Sequence, residues 1–582
     1  MTMNRYLLTA ALFAALPFGA GAQVAKQVEV TKAYVPSVAR AAKLPIVPDM
    51  TDTTRMRPEI SESAAPFLLN MPLELQPIRP ATVTYWTFNR PLLCYLKLGA
   101  GYPLNSAVDF HVATQHPDTG YALGFVQHEG RYADIRNDFG VENNSLRMTN
   151  RVGAAAGKQL GRHMLEAAAS YENRLYHRYG AYAAPSFGES DDMRLPAAPG
   201  ARIDFGEADF AVRIGDDFQD LSRINFDVTA RAGLFFDQTV WAGSTHPRQT
   251  DFHASGKLAK AFGRHRFALE AGYDRLDGGR ALDGFKEHLI RAGVRYGRES
   301  ATLDFEVGAD YVHDRISGTD HENYILPFVR LQYHLGTQTM RPFFEVDGNV
   351  RDNSYRSLTR LCPYVAPATV LDETSVDYNG RLGIRGDLWH ERFAYRVYAA
   401  CSIRDRHDYW VASELYDSAN DEPLAAAIAL RPALGRQTVV SFHGEAEFRP
   451  VSTLHMELGV HGYLYHDELD YGNGAPSFEG NFGIRYAAKR VSFGVSASMQ
   501  TTRRWTVLRT DAMSEDKNVF AGVKRRFEAP LTFGLRAFFD WRITDRIGIF
   551  AEGDNLLNKR QYRYPFYPEY GANFTAGVKL GF

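Results

Sequence analysis

The residues of this chain best suited to chemistry are its 18 histidines, three cysteines and 68 acidic side chains. Their spacing assembles no catalytic set. No Gly-rich loop is placed to cradle a phosphate, no Cys/His pattern has zinc spacing, and no nucleophile elbow occurs. His128, His163, His177 and His253 fall near the ends of alternating segments, where a wet interface accommodates them. One stretch, His466-Asp-Glu-Leu-Asp470 followed by Tyr-Gly-Asn-Gly474, offers oxygen ligands of the kind Ca²⁺ takes. It lacks the regular spacing of a calcium loop and reads as a solvated outer loop. The expectation is a protein with no enzymatic activity, no cofactor and no bound metal. A net charge of −2 gives no basis for a nucleic-acid partner.

The elements that hold these residues are strands. From about position 92 to Phe582, about 22 segments alternate apolar and polar residues with period 2. In 223–234, Ile224, Phe226, Val228, Ala230, Ala232 and Leu234 share one side, while Arg223, Asn225, Asp227, Thr229 and Arg231 share the other. In 440–449, Val440, Phe442, Gly444, Ala446 and Phe448 oppose Ser441, His443, Glu445, Glu447 and Arg449. A charge facing lipid at the midplane costs about 2–4 kcal/mol, so the polar register must face a wet interior. Long connections (177–201, 351–375, 405–436, 502–530) alternate with tight ones (Gly161-Arg162, Gly297-Arg298, His390-Glu391, Thr544-Asp545). Sorting loops by parity is the signature of a transmembrane barrel, with short periplasmic turns and long extracellular loops. The fold expected is all-β, a single antiparallel transmembrane β-barrel of about 22 strands over 91–582, in contact with outer-membrane lipid. Aromatic residues at 13% suit girdles at both interfaces. Cys94 and Cys401 lie in the apolar register and Cys362 in a long loop, so three free thiols are expected.

Upstream, Arg5, the apolar run Tyr6 to Phe18 and the small residues ending Ala20-Gly-Ala22 form a signal peptide over 1–22, with Ala20 and Ala22 marking the cleavage site. Residues 23–90 carry many prolines (Pro36, Pro45, Pro48, Pro58, Pro66, Pro72, Pro77, Pro80). They read as a mostly extended periplasmic or luminal strap.

The last strand, Asn573 to Phe582, places Phe574, Ala576, Val578, Leu580 and Phe582 on its lipid face. Before it stand Asn555-Leu-Leu-Asn-Lys559, Tyr562, Tyr567-Pro568 and Gly571. An Asn-Leu-x-Asn-Lys turn, then Tyr, Pro and Gly ahead of a final strand ending in Phe, resembles the TonB-dependent receptors of Gram-negative outer membranes. Asn555, Leu556, Asn558, Lys559 and Gly571 carry that likeness. Ala572 departs from it, since the family commonly has Arg there. The terminal pattern Thr575, Gly577, Leu580 and Phe582 is similar to the signal read by the barrel-assembly machinery, which the resemblance implies as a partner. The resemblance further implies location in the cell outer membrane and a receptor's uptake of a nutrient or metal complex, or a pore. In the family an N-terminal plug fills the lumen and a TonB box precedes it. Here 23–90 is too short for that plug, and Lys26-Gln-Val-Glu-Val-Thr31 is expected not to couple the barrel to TonB. The substrate is not readable from the loops. The alternative function is a non-transporting structural or accessory subunit of an outer-membrane complex, with a periplasmic or outer-membrane protein partner.

Overall fold

The computed structural model describes residues 93–582 except 115–119, 137–141, 181–201, 240–245, 336–338, 370, 390, 418–421, 470–471, 509–511, 514–519 and 522–523. The signal peptide with Ala20 and Ala22, the Pro-rich segment and the stretch 26–31 lie outside the described residues.

Twenty-two antiparallel strands close into one barrel. Each pairs with its chain neighbours, and the first strand, Cys94–Tyr102, closes on the last, Asn573–Gly581, with Tyr95 opposite Gly581 and Tyr102 opposite Phe574. Closure leaves no unpaired backbone edge in lipid. Both ends of the barrel meet on one side, where Cys94 and Phe582 exchange backbone hydrogen bonds of 2.8 and 3.1 Å. The tight turns at Gly161-Arg162 and Gly263-Arg264 are on that periplasmic side, with both glycines at positive φ. The long connections are on the other.

Outward positions are apolar and exposed, among them Phe210, Leu269, Phe442 and Leu464. At the periplasmic rim Phe262, Phe267, Tyr296 and Phe305 contact one another in series, with centroids 5.1–6.1 Å apart. Together with Trp389 against Phe393 and Phe448, they form an aromatic girdle at the water interface. Inward positions carry the charges. At the seam Lys97 pairs with Glu552 at 2.8 Å, Lys579 pairs with Asp540, and both lysines lie over the Phe550 ring at 4.2 and 5.2 Å.

Strand boundaries shift where side chains close a turn. The segment expected from 223 begins at Asn225, because the Asn225 amide donates to the carbonyls of Asp220 and Arg223 and so belongs to the turn below. The expected turn at Gly297-Arg298 lies further on, since the strand Lys286–Arg298 includes both residues. The greater correction concerns two of the long loops. Positions 405–436 are mostly strand: Phe393–Asp417 and Glu422–Val451 run 25 and 30 residues, beyond the about 9–11 that a tilted strand needs to cross. Within 502–530, Arg503–Leu508 pairs with Lys524–Ala529 and docks parallel on the long hairpin, Val507 opposite Ala412. Apolar alternation continues through Tyr409, Val411 and Ala433, all fully buried, which is why these segments extend the sheet.

Candidate functional site

The outer mouth of the barrel is where charge, aromatic packing and chain topology converge. After the strand Arg341–Arg351 the chain turns inward and forms a short helix, Tyr355–Leu361. Asp352 accepts from the Ser354 amide (3.2 Å) and the Ser357 hydroxyl (2.6 Å), and the Ser354 hydroxyl accepts from the Ser357 amide. These contacts satisfy the first turn, and the carboxylate complements the positive end of the helix.

The helix presents Arg356 to three carboxylates on the luminal face of the wall. Its guanidinium donates to Glu207 (2.9 and 3.0 Å), Asp209 (2.8 and 2.9 Å) and Asp251 (2.6 Å), and its amide donates to Gln249 (3.2 Å). Arg360 and the wall residue Arg174 also pair with Glu207. Glu172 also approaches Arg174 at 3.4 Å, so every guanidinium of the cluster faces a carboxylate. A buried charge is tolerated only when paired and hydrogen-bonded, so the helix and wall need each other. The Tyr355 hydroxyl donates to Asp237 at 2.7 Å; burial beside that carboxylate drives the phenol well above its ordinary pKa.

Below the helix the chain returns through an apolar cluster. Leu358, Cys362 and Val365 are fully buried, and burial pushes the Cys362 thiol well up, the reverse of a reactive thiol. Tyr364 stacks on Tyr567 of the last outer loop at 3.7 Å and 14°, and meets Tyr179 edge-on. Arg178 donates to the carbonyls of Tyr364 and Val365, both at 2.9 Å. Backbone bonds join Tyr364 and Ala366 to Leu430 of the long hairpin. Tyr564 donates to the Leu361 carbonyl (2.7 Å), Tyr179 to that of Pro568 (3.0 Å), and Tyr570 to that of Ser145 (3.0 Å). Five separate parts of the outer surface are thus tied into one cap on the wall. The long outer connection 351–375 thus folds back onto the wall, with Arg356, Leu358, Tyr364 and Val365 buried.

The motif near the C-terminus anchors this cap. Asn555, at φ 47°, donates to the carbonyls of Lys559 (2.7 Å) and Tyr570 (2.9 Å) and accepts from the Lys559 amide (3.1 Å). Asn558 accepts from the Ala572 amide at 3.0 Å, and a Cβ on Gly571 would stand 2.3 Å from the Asn558 Oδ1. Leu556 donates its amide to the Leu535 carbonyl. In the last strand, Phe574, Val578 and Phe582 face outward and exposed, and Leu580 shares their register. Thr575 and Gly577 face inward; a Cβ on Gly577 would lie 1.8 Å from the Leu98 carbonyl oxygen, so the seam needs glycine there.

Other expected sites fall elsewhere. His128 bonds to Ser106 and Asn150, His163 to Asp216, and His253 to Asp274, all within the wall. His177 lies at the outer end of its strand, His163–His177. In the acidic stretch, Asp467 accepts from Tyr409 (3.0 Å) and Gln437 (2.8 Å), and Glu468 from the Arg436 amide (2.8 Å). These bonds hold the stretch against the base of the long hairpin. Cys94, Cys362 and Cys401 are free. The Arg356 cage escaped sequence reasoning because its partners stand 105–149 positions away.

No family profile and no curated protein matches this sequence. Solved structures do. The iron transporter FrpB of Neisseria meningitidis (F5-1 variant) superposes with a TM-score of 0.63 at 10% identity, covering 85% of this chain and 83% of that one. The siderophore receptor PirA of Acinetobacter baumannii gives 0.62 at 10%, covering 85% and 81%. The pyoverdine outer membrane receptor FpvA of Pseudomonas aeruginosa gives 0.60 at 12%, covering 85% and 79%. At these identities the likeness is one of fold, over 85% of the chain. The chain is therefore a closed 22-stranded β-barrel with the fold of the TonB-dependent receptors.

Proposed function

We propose that this barrel is a receptor-like uptake protein whose outer mouth is held shut by its own loop 352–374. It would admit a nutrient or metal complex when a ligand at the outer surface displaces the Arg356 cap. The observation that carries this reading is the Arg356 cage. A permanent plug is more stable when apolar, since replacing buried ion pairs with packed hydrophobic residues is often neutral or stabilising. A closure built on charge can be released by competing charge or water. The three receptors and transporters of like fold act on iron or siderophore, which supports a metal chelate as cargo. Those proteins are named as receptors and a transporter, which supports transport over catalysis as the reading for this chain.

Residues 1–22 would be removed after Ala22, and Thr575, Gly577, Leu580 and Phe582 would present the last strand to the barrel-assembly machinery. Residues 23–90 would act as a periplasmic or luminal strap without TonB coupling through 26–31. The test is planar-bilayer conductance of the purified, heat-modifiable barrel. Wild type should conduct little, and Arg356→Ala should open frequently to a large, stable level. A folded Arg356→Ala barrel as silent as wild type would favour the accessory-subunit reading instead.

A further inference from the structure

Away from the cap, one side of the luminal wall carries a row of rings. Phe343 is opposite Gly383, Gly383 opposite Tyr398, Tyr398 opposite His443, and His443 opposite His461, on five successive strands. All face inward, because their neighbours Val397, Phe442 and Val460 are on the exposed lipid side. Opposed residues line up across the strands. Since strands of a barrel tilt by about 35–45°, such a row rises along the wall as it runs round it. Phe343 stands near the periplasmic start of Arg341–Arg351. The row turns up the strand Leu454–Asp467 through Tyr463 and Tyr465, and Tyr465 donates to the Pro476 carbonyl in an outer loop at 3.1 Å.

The contacts are continuous. Phe343 and Tyr398 have centroids 6.2 Å apart, Tyr398 stacks on His443 at 4.4 Å and 12°, His443 is 5.0 Å from His461 and 5.7 Å from Tyr463, and Tyr463 stacks with Tyr465 at 6.0 Å. Gly383 makes the row possible, because a Cβ there would stand 2.4 Å from that of Tyr398. Apart from Phe343, which is 2% exposed, the rings are half-buried.

Positive charge accompanies the rings. Arg396 sits over Phe343 (5.1 Å) and Tyr398 (4.6 Å), and Arg385 over Phe343 (5.1 Å). Arg381, Arg385 and Arg396 approach Glu345 at 3.6, 4.0 and 3.7 Å, and Arg381 also reaches Asp347 at 2.9 Å. Glu445 stands opposite Arg396 on the next strand, and the buried Nε atoms of Arg385 and Arg396 have no hydrogen-bond partner among the described residues.

We infer that this row is a conduction rail for a solute with a flat conjugated ring bearing an anionic oxygen group. Half-exposed rings offer faces and edges to a planar partner, and the guanidiniums beside them, whose hydrogen bonds are incomplete, hold its anion. The inference rests on the uptake reading and gives it a substrate class. A saturated ring of equal charge should be handled poorly.

The test uses full-length protein in detergent, titrated with benzoate and with cyclohexanecarboxylate and followed by saturation-transfer NMR. Wild type should bind benzoate and discriminate against cyclohexanecarboxylate. Tyr398→Leu and His443→Leu should weaken benzoate by about tenfold, and Arg396→Gln should weaken both acids. Heat-modifiability confirms folding, and the comparison of the two acids on wild type needs no variant. Equal binding of both acids, or benzoate binding untouched by the ring substitutions, overturns the rail. Either result leaves the conductance of Arg356→Ala unaffected, so failure of the rail is separable from failure of the uptake reading.

Discussion

Arg356 and Asn555 show how single side chains hold an irregular cap on a regular wall. Removing one member of a buried charge cluster costs about 3–5 kcal/mol, because the partners stay behind uncompensated. In Arg356→Ala, Glu207 keeps Arg174 and Arg360, whereas Asp209 and Asp251 lose the guanidinium. The expected result is a cap that opens while the barrel stays folded. Asn555 acts through backbone. Its side chain replaces three bonds the turn cannot make itself, and it tolerates a left-handed φ that most residues resist. Asn555→Ala should loosen 555–572 by about 1–3 kcal/mol. Trypsin should then cut at Lys559, Arg560 or Arg563 in the folded barrel several times faster than in wild type. Unchanged cleavage would show that the Tyr564 and Tyr570 contacts alone secure that loop.

At the scale of elements, strands were legible and loops were not, for a physical reason. A strand between lipid and water must alternate at every residue, so Ile224 to Leu234 and Val440 to Phe448 declare their faces locally. A loop declares only that it is not lipid-facing. Tyr355, Leu358, Tyr364 and Val365 could have been read as apolar content without a home, but whether 351–375 folds inward depends on Glu207, Asp209 and Asp251, which belong to other strands. The same ambiguity hid the elongated hairpin in 405–436. Accessibility follows the fold rather than the loop length. Protease on intact cells should spare Arg356 and Arg360, despite their place in a long outer connection. With Cys94 and Cys401 replaced by Ser, a membrane-impermeant maleimide should leave Cys362 unlabelled in wild type. Arg356→Ala should raise the labelling rate by about two orders of magnitude, from the about 3 kcal/mol removed. Rapid labelling of wild type would mean that the cap is open at rest. The last strand gives an independent check: Phe582→Asp puts a charge at its outward end and should lower the yield of heat-modifiable barrel in the outer membrane. Wild-type yield would make the terminal aromatic incidental to assembly.

A 22-stranded barrel encloses a lumen wide enough that an unobstructed one would breach the permeability barrier. We propose two parts of this chain as its obstructions, the cap at the outer mouth and the Pro-rich residues 23–88. Their contributions separate in a two-by-two comparison of conductance, because obstructions in series block flow if either is intact. If the cap alone suffices, deleting 23–88 leaves a folded barrel as quiet as wild type, and Arg356→Ala conducts with the segment present. Adding the deletion to Arg356→Ala then raises the open level only as far as the strap narrows the path. We expect this pattern, because the cap is a packed, ion-paired assembly, whereas 23–88 is short and rich in proline, which suits a strap rather than a compact plug. High conductance from the deletion alone would place the barrier in 23–88 and leave the cap as a ligand-binding surface. Silence in all four proteins would require a seal supplied by neither, and would shift the balance to a barrel that scaffolds a partner.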